Sequence, residues 1–233
     1  MHALRTPRTF ALASIAATLL ACASSAHAAP IGAGGVAFPV GTTSAANPDF
    51  AGPVQDDPLR GFEIRDNFDN LLLTGNLQDR VSLSDNVGTL IFAPRLRDLV
   101  SVPGGPAVRI TRLQVDGYGD HAIDVEYRTD GSGDVGPGTV VRSFDSNSLR
   151  FHYDLDPILP PDESYFPSVF TDATDFAPIG VATITAEVIG GGTYTATIHG
   201  VNVPVPEPTG CLLLTAGLTA AATCRRRAPR RNA

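Results

Sequence analysis

Two short loops carry the residue types and the spacing that could bind a cation. Residues 116–120 read DGYGD and residues 130–134 read DGSGD. Two carboxylates placed around a tight glycine turn offer the hard oxygen ligands that Ca²⁺ prefers. The sequence therefore predicts a candidate calcium site, whose ligands would come from Asp116, Asp120, Asp130 and Asp134.

A second interpretation of these loops is structural. Asp and Gly are the residues expected in hairpin turns, because Asp caps the backbone and Gly accepts a positive φ. Neither loop has the third ligand position or the closing Glu of an EF-hand. Both interpretations stay open at this point, and we expect no cofactor other than Ca²⁺.

Other site chemistries find little support in the sequence. His121, His152 and His199 are far apart and lack the HExxH spacing of zinc enzymes. No GxSxG nucleophile elbow is present, and all three cysteines lie outside residues 29–203. The few glutamates offer nothing distinctive, although a glycosidase pair could be formed by Asp and Glu from any part of the chain. We therefore expect no enzymatic activity.

The central part of the chain is strongly acidic. All 17 basic residues of the chain are arginine. Residues 30–205 contain ten arginines against 23 acidic residues, a formal charge of −13, whereas the whole chain carries −7. A domain of this charge repels a phosphate backbone, so we expect it not to bind nucleic acid.

Turn residues and hydrophobic alternation predict an all-β domain. Apolar residues alternate with polar ones in segments such as 123–127 and 149–153, which is the period of half-buried antiparallel strands. Two apolar segments flank the glycines at 190–192 and predict a hairpin. About ten such strands over residues 59–203 predict an antiparallel β-sandwich or jelly roll. Residues 29–58 are rich in Gly, Pro and Ala, which is typical of a spacer, and we expect one edge strand in them, over residues 36–40.

The N-terminus has the three parts of a secretory signal peptide. Arg5 and Arg8 form a positive region, and an uncharged apolar run follows them. Small residues at Ala26 and Ala28 mark the cleavage site. The sequence thus predicts a helical signal peptide over residues 1–28, which would deliver the chain to the secretion translocase.

A second processing route is open at this end. Residues 19–22 read LLAC, which resembles the lipobox of bacterial lipoproteins, in which the cysteine, here Cys22, is acylated. Cleavage after Ala28 is favoured because its small-x-small pattern lies at the usual distance from the apolar run. A further membrane segment at the other end of the chain favours it too.

The C-terminal residues 204–231 consist of three parts in a fixed order. The first is a proline-rich motif, formed by Val205, Pro206, Glu207 and Pro208. The second is an uncharged, mostly apolar run over residues 209–224. The third is an arginine cluster, formed by Arg225, Arg226, Arg227, Arg230 and Arg231. A helix made of the apolar run would be about 24 Å long, which is shorter than the ~30 Å hydrocarbon core and suits a temporary membrane segment.

In this order the three parts resemble the PEP-CTERM sorting signal of Gram-negative bacteria, which is also catalogued as an ice-binding protein C-terminal domain. The resemblance implies that an exosortase, a membrane-embedded cysteine transpeptidase, cuts near the Pro-Glu-Pro motif. It further implies that the preceding domain is transferred to an acceptor at the surface or in the extracellular matrix. The motif residues would be features of a substrate, and the arginines would stop transfer on the cytoplasmic side.

The terminal signals and the acidic domain together predict an exported protein with a structural or adhesive role. We expect it at the inner membrane during sorting and then at the cell surface or in the extracellular matrix. Its contact with the membrane would be transient and would use only the C-terminal helix. The alternative function is a Ca²⁺-dependent carbohydrate-binding module on the cell surface or in exopolysaccharide, for which polysaccharide would be the partner.

Overall fold

The structure, a computed structural model, describes residues 28–205. The expectations for the signal peptide before Ala28, for Cys22 and for the sorting signal after Val205 lie outside the described residues. Within the described part the chain is all-β apart from one 3₁₀ helix, Pro48–Ala51. No helix in residues 28–205 is long and apolar enough to cross a membrane.

Two sheets pack face to face, and their strands are numbered here in chain order. The first sheet contains β1 (Ala29–Pro30), β3 (Gly41–Thr42), β4 (Val54–Asp56), β5 (Leu59–Arg65), β6 (Leu71–Leu83), β7 (Leu90–Ser101), β9 (Ile123–Arg128) and β12 (Phe166–Thr171). The second contains β2 (Val36–Ala37), β8 (Val108–Asp116), β10 (Thr139–Arg142), β11 (Ser148–His152), β13 (Phe176–Val188) and β14 (Thr193–Pro204).

Strand order follows from the hydrogen-bonded pairs. The first sheet runs β1-β9-β12-β7-β6-β4, with β5 added on β6 and β3 on β9. The second sheet runs β14-β13-β8-β11-β10-β2. Every pair of these strands is antiparallel except β3 with β9. The prediction of an all-β domain with two antiparallel sheets in a sandwich is therefore confirmed.

Period-two alternation divides each strand between the core and the outside. In β8, Leu113 and Val115 lie in the core shared by the two sheets, while Arg112 and Gln114 point to the opposite face. The sequence predicts a change of face between Ile110 and Leu113, and a register shift against β13 lies at this point. A bulge adds one residue to one strand and so restores the alternation.

The predicted hairpin around 190–192 is confirmed as β13 and β14. Gly190 has a φ of 78°, which a glycine accepts without steric cost. The two strands pair along most of their length. This hairpin carries the chain to the C-terminal end of the described domain.

Residues 29–58 are built into the sandwich, although their composition is typical of a spacer. They contribute β1 to β4, and β2 forms an edge of the second sheet. Ile31, Ala37 and Phe50 are buried. The predicted edge strand over residues 36–40 is present as the shorter β2, at Val36–Ala37. Apolar residues isolated among Gly, Pro and Ala give no periodic signal, so only tertiary pairing reveals β1, β3 and β4.

A buried carboxylate joins the last strand to the first sheet. Asp79 of β6 is only 3 % exposed and accepts hydrogen bonds from Arg60 Nε (3.1 Å) and from the backbone N–H of Asn202 (2.8 Å). Burial raises the pKa of Asp79, and these hydrogen bonds oppose the increase. The interaction holds β14 in place immediately before its end at Pro204.

Candidate functional site

The two DGxGD loops lie at opposite ends of strand β9. The first loop (116–120) comes from the end of β8 and leads into β9, and the second loop (130–134) follows the end of β9. The six residues of β9 separate the loops by about 17 Å. The structure therefore does not bring the four predicted ligands, Asp116, Asp120, Asp130 and Asp134, together at one site.

The carboxylates of the second loop bind protein donors. Asp130 accepts hydrogen bonds from the backbone N–H of Ser44 (3.0 Å), from the Ser44 hydroxyl and from Arg128 Nε (2.6 Å). The hydrogen bonds from Ser44 and Arg128 lower the pKa of Asp130 to about 2. Asp134 accepts from the backbone N–H of Glu163 at 3.0 Å. A cation at this loop would have to displace these donors.

The first loop turns inward at its centre. Tyr118 is 1 % exposed and packs edge-on against Phe92, with 6.0 Å between the ring centroids. Gly117 has a φ of 127°, and a Cβ at this position would lie 2.8 Å from the side chain of Val203. Asp116 accepts a hydrogen bond from Gln114 (2.8 Å), and Asp120 is exposed. Asp120 is thus the carboxylate of this loop that faces solvent.

Asp120 lies at an end of the sandwich that we call the terminal pole, defined by Asp120, His121, Asp172 and Arg142. Two open grooves share its first three residues and have volumes of about 560 Å³ and 450 Å³. Arg142 lines the smaller groove. The loop after β8 and the loop after β12 meet here, which brings residues 50 positions apart into contact.

A histidine–carboxylate pair forms the most ordered polar contact of the terminal pole. His121 Nδ1 lies 2.7 Å from Asp172 Oδ1, which also accepts the backbone N–H of Ala122 at 3.2 Å. Burial acts to raise the pKa of Asp172, but the hydrogen bonds from His121 and Ala122 outweigh it, so the pKa is lowered. With the exposed Asp120, the pair gives the pole an anionic, hydrogen-bonding surface.

Arg142 holds the loops of the terminal pole together. Its guanidinium donates to four backbone carbonyls, those of Ser146 (3.2 Å), Ile31 (2.9 Å), Gly119 (2.7 Å) and His121 (2.7 Å). The side chain is buried, and burial lowers the pKa of Arg142, while the carboxylates of the pole act in the opposite sense. Three separate segments of the chain, around Ile31, residues 119–121 and Ser146, therefore depend on a single cation for their position.

Both ends of the described domain reach the terminal pole. Ala28 lines a groove of about 530 Å³ beside Asp172, and Pro204 lines the 560 Å³ groove beside the same residue. The backbone N–H of Val205 still bonds to the carbonyl of Asp175 at 3.3 Å. Of the predicted processing residues, Ala28 and Val205 are thus placed. The others lie outside the described residues: Ala26, Pro206, Glu207, Pro208, Arg225, Arg226, Arg227, Arg230 and Arg231.

The arrangement limits what the pole can do with a metal ion. Across residues 28–205 no group of three or more His, Cys, Asp or Glu side chains is placed to hold one. A pair of carboxylates and an imidazole around an open groove can still bind hydroxyl groups or a weakly held cation. Calcium binding by the DGxGD loops stays a prediction.

Sequence reasoning missed Arg142 and the pairing of His121 with Asp172. A signal for Arg142 exists, because it shares the inward phase of strand β10 with the buried Val140. A charged residue at a core-facing position of an alternating strand must find buried partners. The contact between His121 and Asp172 has no such signal, since it depends on two loops from different strands.

Comparison of the chain with family models, with curated proteins and with solved structures found no match.

Proposed function

We propose that the chain is an exported protein that is sorted to the cell surface or the extracellular matrix of a Gram-negative bacterium, where it has a structural or adhesive role and no enzymatic activity. One observation carries the proposal. Strand β14 ends at Pro204, and the Pro-Glu-Pro residues follow it at 206–208. The predicted cleavage site thus begins immediately after the folded domain.

The packing of the last strand supports removal of the tail. Val201 and Val203 are buried in the core, and Asn202 is bonded to Asp79. The core of the described domain is therefore complete before the motif begins, and a cut after Val205 would leave its contacts in place. A domain that keeps its fold after cleavage is what a sorting route of this kind requires.

In this proposal the two ends have separate tasks. A helical signal peptide over residues 1–28 would deliver the chain to the secretion translocase, and residues 209–224 would hold it in the inner membrane as a helix. An exosortase would then cut near Pro206 and release the jelly-roll-like domain. The proposed lack of catalysis agrees with the carboxylates of the second DGxGD loop, which bind protein donors.

Mass spectrometry of the mature protein tests the proposal. The full chain is expressed in a bacterium that has an exosortase, and the mature product is expected to begin near Ala29 and to end near Pro206. Pro206→Ala should slow or abolish the C-terminal cut, because proline fixes φ and keeps the site extended. A conservative change beyond the motif, Thr215→Ser, is the control and should leave cleavage intact. A mature chain that extends to Ala233 would contradict the proposal.

A further inference from the structure

The arginines of the described domain differ in what neutralises them. Seven of the ten lie within ion-pair distance of a carboxylate: Arg60, Arg65, Arg80, Arg95, Arg97, Arg109 and Arg128. Arg142 is buried on backbone carbonyls. Arg112 and Arg150 bond to neutral side chains, and neither forms an ion pair with a carboxylate of residues 28–205. In a domain with a formal charge of −13, two unneutralised cations need an explanation.

Strand register places these two arginines next to each other. Arg112 of β8 is directly opposite His152 of β11, and Arg150 of β11 is directly opposite Gln114 of β8. Arg112 and Arg150 are therefore diagonal neighbours on the outer face of the second sheet, with Cα atoms about 7 Å apart. Two positive charges on one open face give the acidic domain a local site for an anion.

Each guanidinium keeps donors free for a ligand. Arg112 Nη2 donates to the hydroxyl of Thr185 at 3.1 Å. Its Nε is buried and has no partner within the described residues, so the donors that remain for a surface ligand are those of the terminal nitrogens. Arg150 Nε donates to Gln114 Oε1 at 3.1 Å. A guanidinium has five N–H donors in a planar fork that matches a carboxylate. These contacts fix the two side chains in place and leave most of their donors unused.

Hydroxyl groups extend the surface away from the arginines. Two rows of directly opposed residues cross the sheet. In the row of Arg112, the next residues are Thr185 and Thr195. In the row of Arg150, which lies opposite Gln114, the next residues are Thr183 and Thr197. Two parallel rows thus cross four strands, a length of about 14 Å. Thr195 and Thr197 are exposed at the open edge of the sheet. Thr185 is buried and positions Arg112, so Thr183, Thr195 and Thr197 are the hydroxyl groups of these rows that a long, flat ligand can reach.

We propose that this surface, the arginine face (Arg112, Arg150, Thr183, Thr195 and Thr197), binds a polysaccharide that carries carboxylate groups. The sugar carboxylates bind to the two guanidinium groups, and the sugar hydroxyls bind to the three threonines. The chain lies across the strands and not along them. The inference rests on the proposed function, for which it supplies the class of matrix component that the domain holds.

The surrounding charges restrict which anions are accepted. The carboxylates near the arginine face are engaged: Glu187 pairs with Arg109, Asp154 lies near His152, and Asp116 accepts from Gln114. Asp145, which interacts electrostatically with Arg150, accepts hydrogen bonds from the Ser143 hydroxyl and the backbone N–H of Asn147. The remaining surface of the domain is acidic and repels a polymer that offers charges without hydroxyl groups to offset the repulsion. Carboxylates that are each accompanied by sugar hydroxyls therefore suit this face better than a nucleic acid or a polyglutamate.

Affinity electrophoresis of the full chain in an uncharged detergent tests the inference, with polygalacturonate in the gel as the probe. The protein is expected to be retarded by polygalacturonate and not by dextran. Arg150→Gln and Arg112→Gln should each weaken binding by about tenfold, since each removes a charge-assisted pair. Arg80→Gln, which removes a charge paired with Asp57 in the first sheet, is the matched control and should change binding less than about twofold.

Several results would overturn the inference. Unchanged binding in the Arg150→Gln variant, with an unchanged melting temperature, would do so, and so would equal retardation by polyglutamate. Arg150 carries the test by itself if Arg112→Gln fails to fold. The proposed function is judged by a different readout, the C-terminal mass. A chain that is cut at the motif but does not bind polygalacturonate contradicts only this inference, and one that binds but is never cut contradicts only the sorting proposal.

Discussion

The two DGxGD loops have the same sequence pattern but different tasks. The first loop sends Tyr118 into the core and is held from below by Arg142, which binds the carbonyl of Gly119. The second loop stays at the surface, and its carboxylates hold Ser44 and the backbone of Glu163. The central residue of one loop is thus a core residue, whereas the acidic residues of the other are the ones that maintain its shape.

The comparison teaches that the pattern encodes a turn, and that tertiary contacts decide which residues of the turn matter. The glycines show this most clearly. In the first loop the leading glycine, Gly117, is enclosed, and the trailing one, Gly119, has free space around it. In the second loop the leading Gly131 has free space, and the trailing Gly133 is enclosed. Equivalent glycines of the two loops therefore differ in whether the surrounding structure has room for a Cβ atom.

Replacing the arginine that supports each loop should give the largest contrast. Arg142→Met leaves four buried carbonyls without their donor, and we expect it to lower the free energy of unfolding by about 3–5 kcal/mol. Arg128→Met removes a half-exposed pair with Asp130 and should cost about 1 kcal/mol. Urea unfolding of the two variants measures both values.

A control for the first change is Arg142→Lys, which keeps the charge but loses the planar fork. It should fall between the wild type and Arg142→Met, because one ammonium group cannot reach all four carbonyls. Equal stability of Arg142→Met and Arg128→Met would mean that the two loops are supported in the same way.

Four glycine-to-alanine substitutions test whether the enclosed glycine is the first of one loop and the second of the other. Gly117→Ala and Gly133→Ala should each lower the free energy of unfolding by about 3 kcal/mol. Gly117 has a φ of 127°, and its new Cβ would lie 2.8 Å from Val203; Gly133 has a φ of 130°, and its Cβ would lie 2.5 Å from the Ser164 carbonyl oxygen. Gly119→Ala, at a φ of 54°, should cost about 1 kcal/mol.

The fourth variant is the internal control for the other three. Gly131→Ala should change stability by less than about 0.5 kcal/mol, since no atom lies closer than 3.8 Å to its Cβ. Thermal unfolding ranks all four variants in one experiment. A ranking in which Gly117 and Gly131 are alike would contradict this difference between the two loops.

The carboxylate of Asp130 should make the second loop sensitive to acid. Its pKa is lowered to about 2 from 3.8, so its contribution to stability is complete above pH 3.8 and is lost as the pH falls through 2. Asp130→Asn should therefore be less stable than the wild type at pH 6, and the difference should shrink between pH 4 and pH 2. Ser44→Ala removes the hydroxyl that contributes most to lowering the pKa of Asp130. In a Ser44→Ala background, the stability difference at pH 6 between the chain with Asp130 and its Asp130→Asn variant should therefore be smaller.

Calcium should have the smallest effect. The carboxylates of the second loop already bind protein donors, so we expect excess Ca²⁺ to raise the melting temperature by no more than about 2 °C relative to chelator, through Asp120. Asp120→Asn should abolish this shift, and Asp134→Asn should leave it unchanged. A melting-temperature shift that depends on Asp134 would contradict this expectation and would show that the second loop supplies calcium ligands.

Much of the fold could be predicted because it follows from local pattern. Alternation identified β9, β11 and the β13–β14 hairpin, and the change of face in β8 was visible between Ile110 and Leu113. Of the strands in residues 29–58 only the edge strand β2 was predicted, since strands of two or three residues carry no period. They form because β9, β6 and β10 offer unpaired edges to them.

The candidate site was less predictable than the fold. The sequence pointed to four aspartates, but the spatial relation of the two loops depends on which strand separates them. The contacts of Asp172 with His121 and of Arg142 with Ile31 span 51 and 111 positions in the chain. Such pairs depend on the order of the strands in the two sheets, and the spacing of residues in a single sequence does not predict that order.

The unequal length of the terminal strands has a mechanical consequence. At the N-terminal end, β1 is held by two residues paired with β9, whereas at the C-terminal end β14 pairs with β13 along most of its twelve residues. A pull along β14 loads many hydrogen bonds at the same time, since they lie perpendicular to the strand. A pull on β1 meets only one short pair. We therefore expect an attachment at Val205 to bear more load than one at Ala29.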